Sequence, residues 1–224
     1  ASTHLSLGLM QLLSPGYDIH RREDRTGYET PQGTMPSVTT ILGATSSPES
    51  KARLEAWLAR PGSAQESARA CKRGSWVHEQ LENHLSGLPV QRHLAFNGYL
   101  NCMLPWVEAN ILEPIAMELP IWHPAGFSGT FDLLAYTDDS PHVTIVDWKT
   151  SKRPRSADLV ENYAQQLAAY RLGLTHTYGV TPMRGILVIG RPASSRPDVW
   201  TYEADELDRR EDLFLERVRQ YQAQ

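Results

Sequence analysis

Cysteine is nearly absent from this chain of 224 residues: Cys71 and Cys102 stand alone, with no CxxC neighbour. Two thiols cannot supply the four thiolates of a zinc ribbon or an iron–sulfur cluster, so neither is expected, and both cysteines read as buried free thiols. A membrane-spanning run is lacking as well. The apolar stretch from Leu5 to Leu13 is short, has no basic segment before it and no small-residue cleavage site after it. It reads as part of the mature fold rather than as a secretory signal. Basic charge is not in excess either: 22 Lys and Arg face 26 Asp and Glu, for a net charge of −4. No global positive field draws this chain to nucleic acid, so any such site must be local. Internal repeats, low-complexity segments and a GxxxxGK[ST] phosphate loop are all missing, which leaves no sign of a solenoid or a built-in helicase motor.

What is present has the composition of an ordinary globular chain, 41% hydrophobic and 21% charged. That is enough to bury a substantial core without disulfides, and one domain over residues 1–224 is the expected division. Tyr17 to Leu42 is rich in Gly, Pro and Thr and reads as a hairpin followed by Pro36-Ser37 leading into a short helix. Helical spacing then marks Pro48 to Arg60, Ser63 to Leu85 and His93 to Asn110. Together these make an N-terminal hairpin and helical block over 1–112.

From 113 to 204 the pattern changes. Strands are expected at Ala116–Trp122, Ser128–Tyr136 and Val143–Thr150, the last two joined by Thr137-Asp138-Asp139-Ser140-Pro141. A helix from Ala157 to Tyr178, an apolar run Gly185–Ile189, a strand Val199–Tyr202 and a charged helix from Asp205 complete the chain. Strands apolar on both faces, with helices before and after, imply a layered α/β domain whose mixed central sheet is flanked by helices.

The turn lies midway between Asp132 and Asp147, so a symmetric hairpin places these two opposite each other on adjacent strands. Directly opposed carboxylates repel, and a divalent cation between them relieves the cost. The period of two puts Lys149 on the same face and leaves Phe131 and Trp148 as a cross-strand aromatic pair behind. The competing arrangement is an Asp132–Lys149 ion pair at a sheet end, with Asp147 capping a turn. Oxygen ligands suit Mg²⁺ or Mn²⁺, and a nearby imidazole shifts preference toward Mn²⁺. Gly74 and His78 lie four apart on a helix, so the glycine lets a strand or substrate backbone approach one turn from the imidazole. Gln166 and Tyr170, with Tyr163 on nearly the same stripe, form a polar and aromatic edge of the following helix. Local cationic clusters occur at Lys149, Lys152, Arg153 and Arg155, at Arg21, Arg22 and Arg25, and at Lys72 with Arg73. A solvated charged surface accounts equally for any one of them.

Gly129-Thr130-Phe131-Asp132, Asp147-Trp148-Lys149-Thr150, Gln166-Leu167-Ala168-Ala169-Tyr170 and the upstream Gly74-Ser75-Trp76-Val77-His78 occur in the order that marks the RecB-type branch of the PD-(D/E)XK nucleases, which this chain resembles. The segment Met35-Pro36-Ser37-Val38-Thr39-Thr40-Ile41-Leu42 ahead of the helix bearing His78 is similar to the mitochondrial genome maintenance exonuclease group and its bacterial and phage relatives. The resemblance implies a restriction-endonuclease-like fold and Mg²⁺ or Mn²⁺ held by His78, Asp132, Asp147 and the Trp148 backbone carbonyl, with Glu118 as an auxiliary ligand. Lys149 is then the catalytic lysine beside Asp132 and Asp147. Gln166, Tyr170 and Tyr163 form an edge that meets DNA, and Arg73, Lys152 and Arg153 are further candidates for contact, with Arg21, Arg22 and Lys72 behind them. Single-stranded DNA is the implied substrate, cut to a 5′-phosphate and a 3′-hydroxyl, and a replication or recombination protein is the implied partner class. No membrane association is expected. Missing targeting signals and scarce cysteines fit a cytoplasmic bacterial or phage protein, or a processed mitochondrial matrix protein. The rival functions are a nuclease subunit active only within a complex and a catalytically silent nucleic-acid-binding module.

Overall fold

The computed structural model describes residues 19–24 and 27–224; the Leu5–Leu13 run and Arg25 lie outside them. The hairpin expected near the start is a three-stranded antiparallel sheet of β1 (His20–Arg21), β2 (Gly27–Thr30) and β3 (Gly33–Pro36). Pro36 stops the ladder and Ser37 caps the next helix, α1 (Val38–Ala44), by accepting from the Thr40 amide at 3.1 Å. Ser128 Oγ donates to the Met35 and Pro36 carbonyls at 3.1 and 3.0 Å, which docks this segment onto the main sheet.

Four elements follow before the hairpin that carries the chemistry: α2 (Pro48–Leu58), α3 (Ser63–Leu85), α4 (Asn97–Asn110) and β4 (Ile111–His123). The helix α2 is capped by Ser47 and has Pro at its first turn, yet buries no residue. The start of α4 falls at Asn97 rather than His93, because Asn97 Oδ1 accepts from the His93 amide and Leu94 in between is fully solvent-exposed. Beginning at Ile111 rather than Ala116, β4 runs through Pro114, which sits at a register shift where no ladder hydrogen bond is required of it.

The rest of the chain is β5 (Phe127–Thr137), β6 (Ser140–Thr150), α5 (Ala157–Tyr178), β7 (Arg184–Gly190), β8 (Asp198–Glu203) and α6 (Ala204–Gln222). Strand order is β4-β5-β6-β7-β8, and the β6–β7 pair is parallel while the other pairs are antiparallel. Parallel neighbours need a crossover, and α5 is that crossover. The result is a mixed five-stranded sheet with helices on both faces.

Alternation along β6 and β7 divides the core. Ile145, Leu187 and Ile189 pack with α1, α5 and α6, whereas Val146, Trp148, Ile186 and Val188 pack with α3 and α4. Each fully buried Leu or Ile in these layers contributes roughly 1.5–3 kcal/mol. The expected Phe131–Trp148 pair does not form: Phe131 joins the first cluster, and Trp148 joins the second, edge-on to Trp106 at 6.2 Å between ring centroids. The cause is local. Glu118 on β4 sits at φ 51, in the left-handed region, so Met117 and Ile121 face opposite clusters although both have odd numbers. Opposite this kink β5 turns as well. A second correction concerns the thiols: Cys102 is buried, but Cys71 is exposed, on the outer side of α3.

Candidate active site

The β5–β6 register pairs Leu133 with Val146 and continues symmetrically toward the turn, so the positional opposition of Asp132 and Asp147 follows from the next step of the same register. The ladder itself stops at Leu133. Beyond it Asp132 replaces the missing backbone acceptor, its Oδ2 taking the Trp148 amide at 2.7 Å. That charge-assisted bond fixes one oxygen and leaves Oδ1 toward His78 Nδ1, 3.5 Å away. The Asp132–Lys149 ion pair considered from the sequence is not made. Lys149 instead places its ammonium 2.5 Å from Asp147 Oδ2.

Asp147 is 1% exposed, and the Lys149 ammonium at Oδ2 is its close charged partner. Burial, opposed by Lys149 and reinforced by Asp132, pushes its carboxyl up to about 6. Burial disfavours the Lys149 ammonium, but Asp147 and Asp132 outweigh that effect and raise its pKa. Lys149 is therefore a charged donor at neutral pH. Its Nζ also lies 5.3 Å from the centre of the Tyr163 ring.

His78, on α3, bridges to the other strand. A carbonyl only accepts, so Nε2 must donate to the Trp148 carbonyl at 3.0 Å, which leaves Nδ1 facing Asp132 and the Glu118 carboxylate, the latter at 3.6 Å. Burial lowers the imidazole pKa, but Asp132 and Glu118 together override it and raise it to about 9. Donor atoms of His78, Glu118 and Asp132 lie within 4.8 Å of one another. This set, one imidazole nitrogen with carboxylate oxygens and the buried, lysine-paired Asp147 carboxylate next to it, fits a divalent cation. The Trp148 carbonyl, expected as a ligand, is engaged by His78. The pocket outside this cluster is acidic, with Glu79, Glu82 and Glu118 facing Arg21; Glu82 is pushed up by burial and by Glu118 and Glu79. Gly74 lines that pocket, and a Cβ there meets nothing within 4 Å, so the close approach of a strand expected at this glycine is not made.

The edge expected on α5 is less open than its sequence implies. Gln166 and Tyr170 are each 6% exposed, and Gln166 Nε2 donates to the Tyr170 hydroxyl at 2.8 Å. Burial and the nearby Asp147 charge hold the Tyr170 phenol well above its usual range. Its ring explains the glycine of the Gly129-Thr130-Phe131-Asp132 run, because a Cβ on Gly129 would lie 2.7 Å from Tyr170 Cε1. Tyr163 and Gln166 line a pocket shared with Thr39 and Asn162.

Of the cationic candidates, Arg73 is buried, donates to Thr150 Oγ1 at 3.0 Å and lies over the Tyr99 ring. Lys152 pairs with Glu66 at 3.1 Å, and together with Arg73 and Arg153 it lines a single cleft. Arg22 is paired with Asp24 and Glu29. Arg155, from the same cationic cluster as Lys152 and Arg153, lines that cleft too, and so do Trp57 and Arg60, of which the sequence gave no hint.

Residues 54–224 match the PD-(D/E)XK nuclease superfamily. Mitochondrial genome maintenance exonuclease 1 of Xenopus tropicalis is 29% identical, with 72% of this chain and 51% of the relative covered. The protein of the same name from Mus musculus is 28% identical, covering 72% and 52%. The chain spans about half the length of these curated relatives. The crystal structure of SSO0001 aligns over 96% of this chain and 86% of that one at 16% identity and a TM-score of 0.39, too low to carry an argument. No helix among the described residues is long and apolar enough to cross a membrane. The matched span takes in every element that supplies His78, Glu118, Asp132, Asp147 and Lys149, and the chain belongs to the PD-(D/E)XK nuclease superfamily.

Proposed function

We propose that this chain is a divalent-metal-dependent deoxyribonuclease that hydrolyses phosphodiesters to a 5′-phosphate and a 3′-hydroxyl, acting on single-stranded ends or flaps in repair, replication or recombination. The observation that carries the reading is the buried Asp147 carboxylate 2.5 Å from the Lys149 ammonium, next to the His78, Glu118 and Asp132 donors. A bound Mg²⁺ or Mn²⁺ supplies a polarised phosphate and an acidified water. His78, Asp132 and Glu118, with Asp147 beside them, would hold it. Lys149, charged and paired with Asp147, would orient the attacking water or neutralise charge growing on the phosphate oxygens. Asp132 keeps the Trp148 amide bonded, and that bond holds the strand bearing Asp147 and Lys149 in place. Tyr163, beside Lys149, is the aromatic surface on the α5 side, while Gln166 and Tyr170 support it from beneath.

The test is cleavage of end-labelled single-stranded and duplex DNA with Mn²⁺, Mg²⁺ or chelator. Lys149→Ala is expected to abolish cleavage while retaining bound metal, and Asp132→Ala or Asp147→Ala to lose both. Normal turnover in any of the three sinks the assignment. A folded, metal-binding chain that cuts nothing moves the reading to a subunit that needs its partner.

A further inference from the structure

Three openings border the elements that carry the site residues, α3, α5 and the end of β6, and they differ in charge. The one beside His78 is acidic. The one beside Tyr163 and Gln166 is lined by neutral side chains. The third, a cleft of about 600 Å³, is lined by Arg60, Arg73, Lys152, Arg153 and Arg155 against the single acid Glu66, with Trp57 on its wall. In a chain of net charge −4 this is a marked local excess of positive charge.

The cleft is joined to the chemistry by the chain itself. Lys149 is followed by Thr150, which accepts from Arg73, and then by Ser151, which lines the cleft and is anchored to β7 through the Gly190 carbonyl at 3.0 Å. The Ser151 hydroxyl bonds the Arg153 carbonyl at 2.5 Å and accepts from the Arg153 amide, so the turn that presents Arg153 and Arg155 is held in shape. Arg155 Nε is buried and has no hydrogen-bond partner. A buried donor of this kind is a site awaiting an acceptor. The roof is the end of α2, a helix with no buried residue, whose Trp57 is half-buried and whose following Arg60 is exposed.

We infer that this cleft receives the single strand next to the bond being cut, with an unpaired base lying on Trp57 and its phosphates held by Arg60, Arg153 and Arg155. The inference rests on the nuclease reading above and gives that site its strand preference. Arginine forks match phosphate oxygens in pairs, and an indole face takes any base that is not already stacked in a duplex. A duplex offers phosphates to the arginines but no free base to the indole. The alternation of cation and aromatic therefore selects single strands. Because α2 buries nothing, it can shift to admit the strand at small cost in packing.

The experiment measures binding rather than turnover. Fluorescence anisotropy of a labelled oligothymidylate is followed in the full chain carrying Lys149→Ala, with Mg²⁺, over a series of salt concentrations. Trp57→Ala is expected to weaken binding by roughly 5- to 100-fold, with Trp57→Phe recovering most of it. Arg60→Gln with Arg155→Gln is expected to lower the slope of log affinity against log salt by about 1.4, for two phosphate contacts on a single strand. Exposed Arg60→Gln alone, which poses no folding risk, should account for about half of that. Unchanged affinity and slope in these variants, or no binding of the strand by the parent chain, overturns the proposal. Hydrolysis of thymidine 5′-(p-nitrophenyl phosphate) by the chain with Lys149 intact tests the nuclease reading separately, since that small diester does not reach across the cleft. Loss of that activity condemns the catalytic assignment, while the anisotropy alone decides the cleft.

Discussion

Asp132 and Asp147 have opposite environments although their motif makes them look alike. Asp132 has its charge satisfied by a backbone amide and shares an imidazole with Glu118, whereas Asp147 is fully buried against a lysine. Period-two alternation made both acids and Lys149 legible, since it needs nothing but adjacent strands. Which acid takes the lysine was not legible, because it depends on where β5 leaves β6. Glu118 carried even less in its sequence context: its left-handed backbone, at φ 51, is a strained conformation of the sort found at functional sites, and nothing in the residues around it announces it. His78 turns the same geometry into a measurement. With Nε2 committed to the Trp148 carbonyl, Nδ1 is the only ring nitrogen left for a metal. His78→Ala should weaken Mn²⁺ affinity by at least ~10-fold in calorimetry. Binding as tight as that of the parent chain removes His78 from the ligand set.

At the scale of elements, α3 and α5 have the ends expected from the sequence, α2 stops at Leu58 and α4 starts at Asn97, while β4 is longer at both ends and β6 starts at Ser140 rather than Val143. The start of α4 is marked by a local bond, Asn97 Oδ1 holding the His93 amide, and β4 runs on past a register shift at Pro114. The joint between α5 and α6 is a further case. Arg171 on α5 is 6% exposed at its side chain; it donates to the Pro182 carbonyl at 2.6 Å and to Asp208 and Glu211 of α6 at 2.7 and 2.6 Å. Burial raises the Glu211 carboxyl pKa and Arg171 opposes that, so removal of the guanidinium strands a half-buried acid. Arg171→Ala is expected to cost about 3–5 kcal/mol in urea unfolding. A loss below about 1 kcal/mol would mean that α6 docks through Leu207, Phe214 and Val218 alone.

Across the whole molecule, the metal-free site binds protons that the unfolded chain does not. The His78 pKa stands at about 9 against an ordinary 6.5, so its stabilising contribution is complete below 6.5 and is lost as pH rises through 9. Burial of Asp147 acts in the same sense, from 3.8 toward about 6. In chelator the melting temperature should therefore fall as pH is raised from 6.5 to 9, and His78→Gln should flatten that limb. Mn²⁺ should flatten it as well, by replacing the protons with a cation. A melting temperature that rises over the same interval contradicts the assigned proton positions. The sequence by itself determined the order of elements, the two-faced apolar strands of a mixed sheet and the shared face of Asp132, Asp147 and Lys149, because periodicity and spacing are properties of neighbours in the chain; His78 joined them only through the family resemblance. Only the tertiary structure decided that Phe131 and Trp148 face different cores, that Gln166 and Tyr170 lie beneath the surface, and that Trp57, Arg60 and Arg155 line one cleft with Ser151, two residues past Lys149. Those residues come from segments far apart in sequence, and nothing local to any of them encodes the approach of the others.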